Sequence, residues 1–272
     1  MPPWSNYSKK DQNGNGKVAL CVGVGGIGES VAFGLRDFGA NVIVGDIDNA
    51  RAKKVAYNLY EENSYKFDNI DPFWAQIDIT NPNSIKEALN SVFEFHKKLD
   101  IVVNMVGYNI FKNSFEMSEG EFKQVLAINL LGTWNLSKAA AKIMDQQGTG
   151  GKIINAASIT AFFGSPGQGA YAAAKAGLVN MTKTLALEWI DKGIYINAIS
   201  PVMTETPINT DWLSEVPERR QNIAKKIPIG RLGKPEDFIG PVIFLASKAS
   251  NFIIGQTIPV DGGTSVQHPL IN

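Results

Sequence analysis

The chain has 272 residues, 44% of them hydrophobic, enough for a full core, and 26 basic side chains balance 26 acidic ones. A formal net charge of zero leaves no broad basic face for nucleic acid or an anionic membrane surface. The single cysteine, Cys21, excludes an intramolecular disulfide, and the only histidines, His96 and His268, are too far apart for metal-ligand spacing.

No apolar stretch is long enough to span a bilayer and no signal-peptide pattern is present, so a cytoplasmic protein is expected. Residues 1–16 (MPPWSNYSKKDQNGNG) read as a flexible polar arm, with Trp4 and Tyr7 able to pack on a neighbouring subunit. Residues 17–272 are expected to form one domain, because no Pro/Gly/Ser-rich linker or charge block interrupts them. The run KVALCV reads as a buried parallel strand. It enters GVGGIG, where Gly23, Gly25 and Gly28 have the spacing G-x-G-x-x-G, and a helical pattern follows. Strand, glycine turn and helix together bring a pyrophosphate close to free N–H groups at a helix N-terminus.

A second strand, NVIVG, ends at Asp46. A carboxylate there accepts hydrogen bonds from both ribose hydroxyls of an adenosine and repels a 2′-phosphate, which predicts NAD over NADP. The competing reading is an ordinary turn or capping residue like Asp48, with Arg51 close by. Residues 49–62 then read as a helix, 63–72 as a polar connection, FWAQIDI as a strand ending near Asp78, and NPNSIKEALNSVFEFHKK as a helix. LDIVVNMVG is a further strand with Asn104 at its end. SEGEFKQVLAINLLGTWNLSKAAAKIMDQ reads as one long helix capped by Ser118. Asn129 lies inside it among apolar neighbours, as either an inter-helix hydrogen-bonder or a functional group.

KIINAAS reads as a strand leading to Ser158, and GAYAAAKAGLVNMTKTLALEW as a helix whose Tyr171 and Lys175 project from one face, one turn apart. An ammonium about 4 Å from a phenol, at an effective dielectric of about 20, is worth roughly 4 kcal/mol. That predicts a phenol lowered toward neutrality, able to pass a proton either way. A Tyr and a Lys can share an Ala-rich helix by chance, but Ser158 upstream and the glycine turn favour the chemical reading. The Ser158 hydroxyl could hold a substrate oxygen from a fixed position. IYINAIS is a strand ending at Pro201, and PVMTETPINTDWLSEVPERR, with Thr204, Thr206 and Trp212, is expected to cover a site over about 203–226. KPEDFIGPVIFLAS reads as a helix with Pro235 in its first turn, and QTIPVDGG as a last short strand. Strands alternating with helices predict an α/β fold, a single Rossmann-type doubly wound parallel sheet of about seven strands with helices on both faces.

YAAAK with Ser158, Asn129 in INLLG, Asn104 in NMVG, the Asp78 strand end and the tail GRLGKPED…FLAS…NFIIGQTIPVDGG together resemble the short-chain dehydrogenase/reductase family, over roughly residues 16–263. The resemblance implies Tyr171 as general acid/base, Lys175 lowering its pKa and binding the nicotinamide ribose, and Ser158 holding the substrate oxygen. It also implies that Asn129 anchors a water relaying protons through Lys175. A cofactor cradle of Gly23, Gly25, Gly26, Ile27 and Gly28 is implied, with Asp46 at the adenosine ribose and Asp78 and Ile79 at the adenine. Asn104 and Gly107 would line the cofactor, and Pro201, Val202, Thr204 and Thr206 would surround the nicotinamide. Family members are usually tetramers built from the helices carrying Asn129 and Tyr171 and from the last strand, so a homotetramer is expected, with the tail SVQHPLIN reaching a neighbour.

The chain departs from the family pattern Thr-Gly-x-x-x-Gly-x-Gly in having Val22 for the threonine and only two residues between Gly23 and Gly26. The family's Asn-Asn-Ala-Gly is Asn104-Met105-Val106-Gly107 here, which predicts that packing between Val22 and Val106 replaces a lost hydrogen bond. Val202 also stands where a glycine is usual. The expected activity is an NAD-dependent oxidoreductase exchanging hydride with a secondary alcohol or ketone of a sugar, polyol or sugar acid. The alternatives are a 3-oxoacyl thioester reductase, an apolar or hydroxysteroid-like substrate suggested by Phe162, Phe163 and Trp212, and a catalytically silent NAD-binding protein.

Overall fold

The computed structural model describes residues 16–61, 73–207 and 209–267. The expectations for the N-terminal arm, for the connection at 63–72 and for the final residues 268–272 lie outside those limits.

Seven strands form one sheet: β1 (Val18–Val22), β2 (Asn41–Asp46), β3 (Trp74–Gln76), β4 (Ile101–Asn104), β5 (Gly151–Ala156), β6 (Ile194–Pro201) and β7 (Thr257–Val260). Their order is β3-β2-β1-β4-β5-β6-β7, and every pairing is parallel. Successive side chains of a strand point to opposite faces, so a strand covered on both faces must be apolar without alternation. In β1, Ala19 and Cys21 enter one apolar layer while Val18, Leu20 and Val22 enter the other. The first layer is closed by α1 (Ile27–Asp37), α2 (Asn49–Glu61) and, late in the chain, a helix at Ile239–Ala246; the second by α3 (Pro82–His96) and by helices at Thr133–Gln146 and Gly169–Trp189. β3 is shorter than FWAQIDI suggested, because only Trp74 to Gln76 pair with β2.

The long helix expected from Ser118 is three pieces: α4 (Glu119–Leu126), a π turn over Ala127–Gly132, and α5 (Thr133–Gln146). Ser118 caps it as a reciprocal box, its Oγ accepting from Glu121 N at 3.2 Å while the Glu121 carboxylate accepts from Ser118 N at 2.7 Å. The wider turn has a local companion: the Asn129 amide donates to the Val125 carbonyl at 2.9 Å, competing with the regular helical ladder. α6 (Gly169–Trp189) follows β5, and the segment after β6 carries α7 (Thr210–Ser214) and α8 (Arg219–Ala224). The last helix, α9 (Ile239–Ala246), begins as a 3-10 turn at Pro235–Phe238 rather than as α-helix.

Strand order reverses at β1, since β2 and β3 lie on one side of it and β4 on the other. The connections leaving the carboxyl ends of β1 and β4 therefore diverge and open a crevice, the usual ligand position in such sheets.

Candidate active site

Ser158 lies just beyond β5, buried, its Oγ accepting from Thr160 N at 3.3 Å and capping a short 3-10 turn at Ile159–Ala161. Tyr171 and Lys175 stand in the first two turns of α6, and the Ser158 hydroxyl acts on the Tyr171 phenol to lower its pKa. Lys175 is fully buried, its Nζ 5.5 Å from the centre of the Tyr171 ring and donating to the Ala156 carbonyl at 2.7 Å. The Tyr171 phenol is raised, not lowered as its spacing from Lys175 predicts. Desolvation raises the Tyr171 phenol above its ordinary value, and the Ser158 hydroxyl offsets only part of that. Burial also lowers the Lys175 ammonium to about 7. With the lysine only partly charged at neutral pH and turned toward a carbonyl, its charge does not outweigh the desolvation of the phenol, contrary to what the spacing alone suggested.

Asn129 is buried, and both hydrogens of its amide are taken, one by Val125 O and one by Tyr108 O at 2.6 Å; its Oδ1 accepts from Tyr108 N at 3.2 Å. The side chain clamps the loop after β4 to α4, and the Asn129 main-chain carbonyl accepts from the Thr133 hydroxyl at 2.9 Å. No amide hydrogen of Asn129 is left to donate to a relay water. Thr133 in turn accepts from Asn104 Nδ2 at 3.1 Å, while Asn104 Oδ1 accepts from Val106 N at 3.2 Å. Asn104, Gly107 and Asn129 are thus one polar frame along the β4 side of the crevice; a β carbon on Gly107 would lie 3.8 Å from Asn129 Oδ1.

The glycine turn occupies the β1 side. Gly26 precedes α1 with φ at 123°, a backbone that side chains rarely adopt, and it offers no side-chain cap, so α1 begins on backbone alone, with the positive end of its dipole at the glycine turn. Gly28 is required by close approach, because a β carbon would fall 2.1 Å from the Gly23 carbonyl oxygen. Val22 is fully buried in the apolar layer on which Val106 packs, and Met105 N donates to the Val22 carbonyl at 2.8 Å. Asp46 is buried at the end of β2. Its carboxylate accepts from Val24 N and Asp48 N at 3.0 Å each, with Arg51 Nη1 at 3.5 Å. The carboxylate therefore fastens the shortened turn.

The remaining expected residues divide. The Asp78 carboxylate is engaged with Thr80 N and Oγ1 at 2.8 and 2.7 Å, and the Ile79 side chain is buried in the core against Gly132, leaving only its main chain for an adenine. Pro201 ends β6, and Val202 packs on an apolar cluster of Leu213, Ile227 and Leu232. Thr204 is buried and its hydroxyl donates to Val202 O at 2.8 Å, so that side chain belongs to a turn and not to the crevice. Thr206 is different: a β carbon on Gly26 would lie 2.9 Å from its side chain, which sets it directly on the glycine turn. Sequence reasoning passed over Phe111, whose ring stacks on Trp212; an aromatic shortly after NMVG was the available signal.

Among the described residues no group of three or more His, Cys, Asp or Glu could hold a metal ion, and no helix is long and apolar enough to cross a membrane. The family described as Enoyl-(Acyl carrier protein) reductase matches residues 23–265. The chain is 35% identical over 250 residues to 3-oxoacyl-(acyl-carrier-protein) reductase FabG of Thermotoga maritima, covering 91% of this chain and 97% of that protein. It is also 35% identical to 2-dehydro-3-deoxy-D-gluconate 5-dehydrogenase of Escherichia coli K12, covering 91% and 95%. A Beutenbergia cavernae protein solved with NADP at low occupancy is 30% identical, with a TM-score of 0.82 over 93% of this chain and 98% of that one. The chain therefore belongs to the short-chain dehydrogenase/reductase family, a family of oxidoreductases that act on CH–OH groups with a nicotinamide cofactor.

Proposed function

We propose that this protein oxidises a secondary alcohol, or reduces the matching ketone, of a small polyhydroxylated molecule such as a sugar, polyol or sugar acid, with NAD as partner. The observation that carries the reading is Tyr171 on one helix face with a fully buried Lys175, its Nζ 5.5 Å from the ring centre, beside the strand end that presents Ser158. The uncapped start of α1, Gly26 and Thr206 suit a pyrophosphate, and Asp46 suits an unphosphorylated adenosine ribose. When bound, the nicotinamide supplies or takes up the hydride.

In the oxidation, the Tyr171 phenolate accepts the hydroxyl proton of the substrate while the carbon loses its hydride; in the reduction the phenol returns that proton to the carbonyl oxygen. Ser158 donates a hydrogen bond to the same substrate oxygen and orients it toward Tyr171. Lys175, when charged, stabilises the phenolate. Asn129 holds Tyr108, and through it the loop that forms the crevice wall. Because burial raises the Tyr171 phenol, oxidation should gain with rising pH.

A 3-oxoacyl thioester reductase is the second reading, favoured by the similarity to FabG. NADP is the second cofactor reading, favoured by Arg51 beside Asp46. The test records NADH or NADPH absorbance at 340 nm near pH 9 for oxidation, across polyols and sugar acids, and near pH 7 for reduction of 3-oxoacyl thioesters. Tyr171→Phe should cost about 10²–10⁴-fold in turnover while cofactor still binds by titration. Retained turnover in that variant, or a preference for NADP, would refute the catalytic or the cofactor assignment respectively.

A further inference from the structure

Two aromatic side chains, one from the loop after β4 and one from the segment after β6, meet across the chain. The rings of Phe111 and Trp212 stack with centroids 5.9 Å apart and planes inclined by 22°. Phe111 belongs to the loop after β4. The next residue, Lys112, donates its N–H to the Gly167 carbonyl at 2.9 Å, and its Nζ pairs with Glu121 at 2.8 Å. A β carbon on Gly167 would lie 3.4 Å from the Phe111 ring, so Phe111 rests on the loop that leads into α6 and Tyr171.

Trp212 lies on α7, in the segment leaving β6. The Arg219 guanidinium is 4.3 Å from the centre of its ring, donates to the Trp212 carbonyl and pairs with Glu215 at 3.0 Å. In the sheet, β5 lies between β4 and β6. A contact between the loop after β4 and the segment after β6 therefore spans the end of β5, where Ser158 stands.

We propose that the Phe111–Trp212 stack is a roof that limits substrate length, admitting a small hydroxylated molecule and rejecting a long acyl thioester. The inference rests on the reading of Ser158, Tyr171 and Lys175 as the reaction centre. A long chain bound there would have to leave past the stacked rings and disrupt their contact, whereas a small substrate ends beneath it. Two residues before Phe111 and two after Ser158, Asn109 Oδ1 and Thr160 Oγ1 are buried polar atoms without a protein partner. Hydroxyl groups can pair with such atoms; an alkyl chain leaves them unpaired.

The experiment compares wild type, Phe111→Ala, Trp212→Ala and the stack-preserving Phe111→Tyr. The probes are D-gluconate and a polyol panel for oxidation, and acetoacetyl and 3-oxodecanoyl N-acetylcysteamine thioesters for reduction. The alanine variants should raise KM for the small substrate about tenfold with kcat within about threefold, and should gain about tenfold in the 3-oxodecanoyl to acetoacetyl ratio. Phe111→Tyr should behave as wild type. Trypsin supplies a readout independent of turnover: cleavage around Arg219 and Lys225 should be about fivefold faster in the alanine variants. A wild type that prefers the 3-oxodecanoyl thioester and ignores polyols overturns the substrate reading together with the roof. A polyol-selective wild type whose alanine variants keep its length preference and trypsin resistance overturns the roof alone.

Discussion

Two buried lysines meet strand β5 at its opposite ends. Lys152, near the start of the strand, donates to Asn251 Oδ1 at 2.8 Å and to Ser250 Oγ at 3.3 Å, and lies 4.3 Å from the centre of the Tyr195 ring. Lys175, at the other end, has the Ala156 carbonyl at 2.7 Å as its hydrogen-bond acceptor. Burial lowers both ammonium groups, Lys152 to about 8 and Lys175 to about 7. Desolvation alone therefore does not separate structure from chemistry. An ammonium has three donors, and Lys152 is provided with partners for its charge where Lys175 keeps donors in reserve beside Ser158 and Tyr171. Spare hydrogen-bonding capacity in a crevice is the better mark of a working group.

The largest expected effect comes from removing the reserve. Lys175→Met should lower kcat/KM by about 10²–10³-fold. The same change should raise stability near pH 7, on the order of a few kcal/mol, since it removes a charge that the fold desolvates. Because the folded lysine titrates near 7 and the unfolded one near 10.5, the unfolded chain binds more protons between those values. This lysine's contribution to wild-type stability is thus least favourable below pH 7 and improves as pH rises through that window. Urea titrations at pH 6.5 and 9 should show the advantage of Lys175→Met shrinking at the higher pH; an equal advantage at both would contradict the depressed ammonium.

Next in size is Asp46→Ser. It should raise KM for NAD by roughly ten- to a hundredfold and shift the NAD-to-NADP ratio toward NADP, read in initial rates with both cofactors. Since Val24 N and Asp48 N would lose their carboxylate, a fall in Tm should accompany the kinetic change. A kinetic change without loss of stability would mean that Asp46 does not fasten the glycine turn.

Lys152→Met sharpens the contrast at the far end of β5. Its kcat/KM should stay within about twofold of wild type, with the pH profile unmoved, because no reacting group is near. A shifted profile would break the distinction between the two lysines. The smallest effect is expected at Val22→Thr, which restores the family residue. A hydroxyl placed in the apolar layer beside Val106 should cost about 1–2 kcal/mol in thermal or urea unfolding. A marked gain in stability and NAD affinity would instead identify Val22 as a defect.

Much of the framework was legible because it depends on local periodicity. The limits of α6 and the alternation of strands with helices follow from apolar spacing, and Ser158, Tyr171 and Lys175 meet because one strand leads into one helix. The π turn at Asn129 was not legible, since it involves a side chain competing for a carbonyl one turn earlier while also holding Tyr108 from another segment. Thr204 and Thr206 look alike in the sequence, yet one hydroxyl closes a turn and the other side chain rests on Gly26. That division depends on the path of the chain after β6.

By itself the sequence determined the parallel α/β architecture, the glycine turn at the crevice and the one-turn spacing of tyrosine and lysine, because each arises within a strand, a turn or a helix. Tertiary structure alone decided the direction of the Tyr171 and Lys175 titrations, the double duty of Asp46 and the stacking of Phe111 on Trp212. Desolvation and competition for hydrogen-bond partners are set by atoms from distant segments, and their balance exists only once those segments have packed.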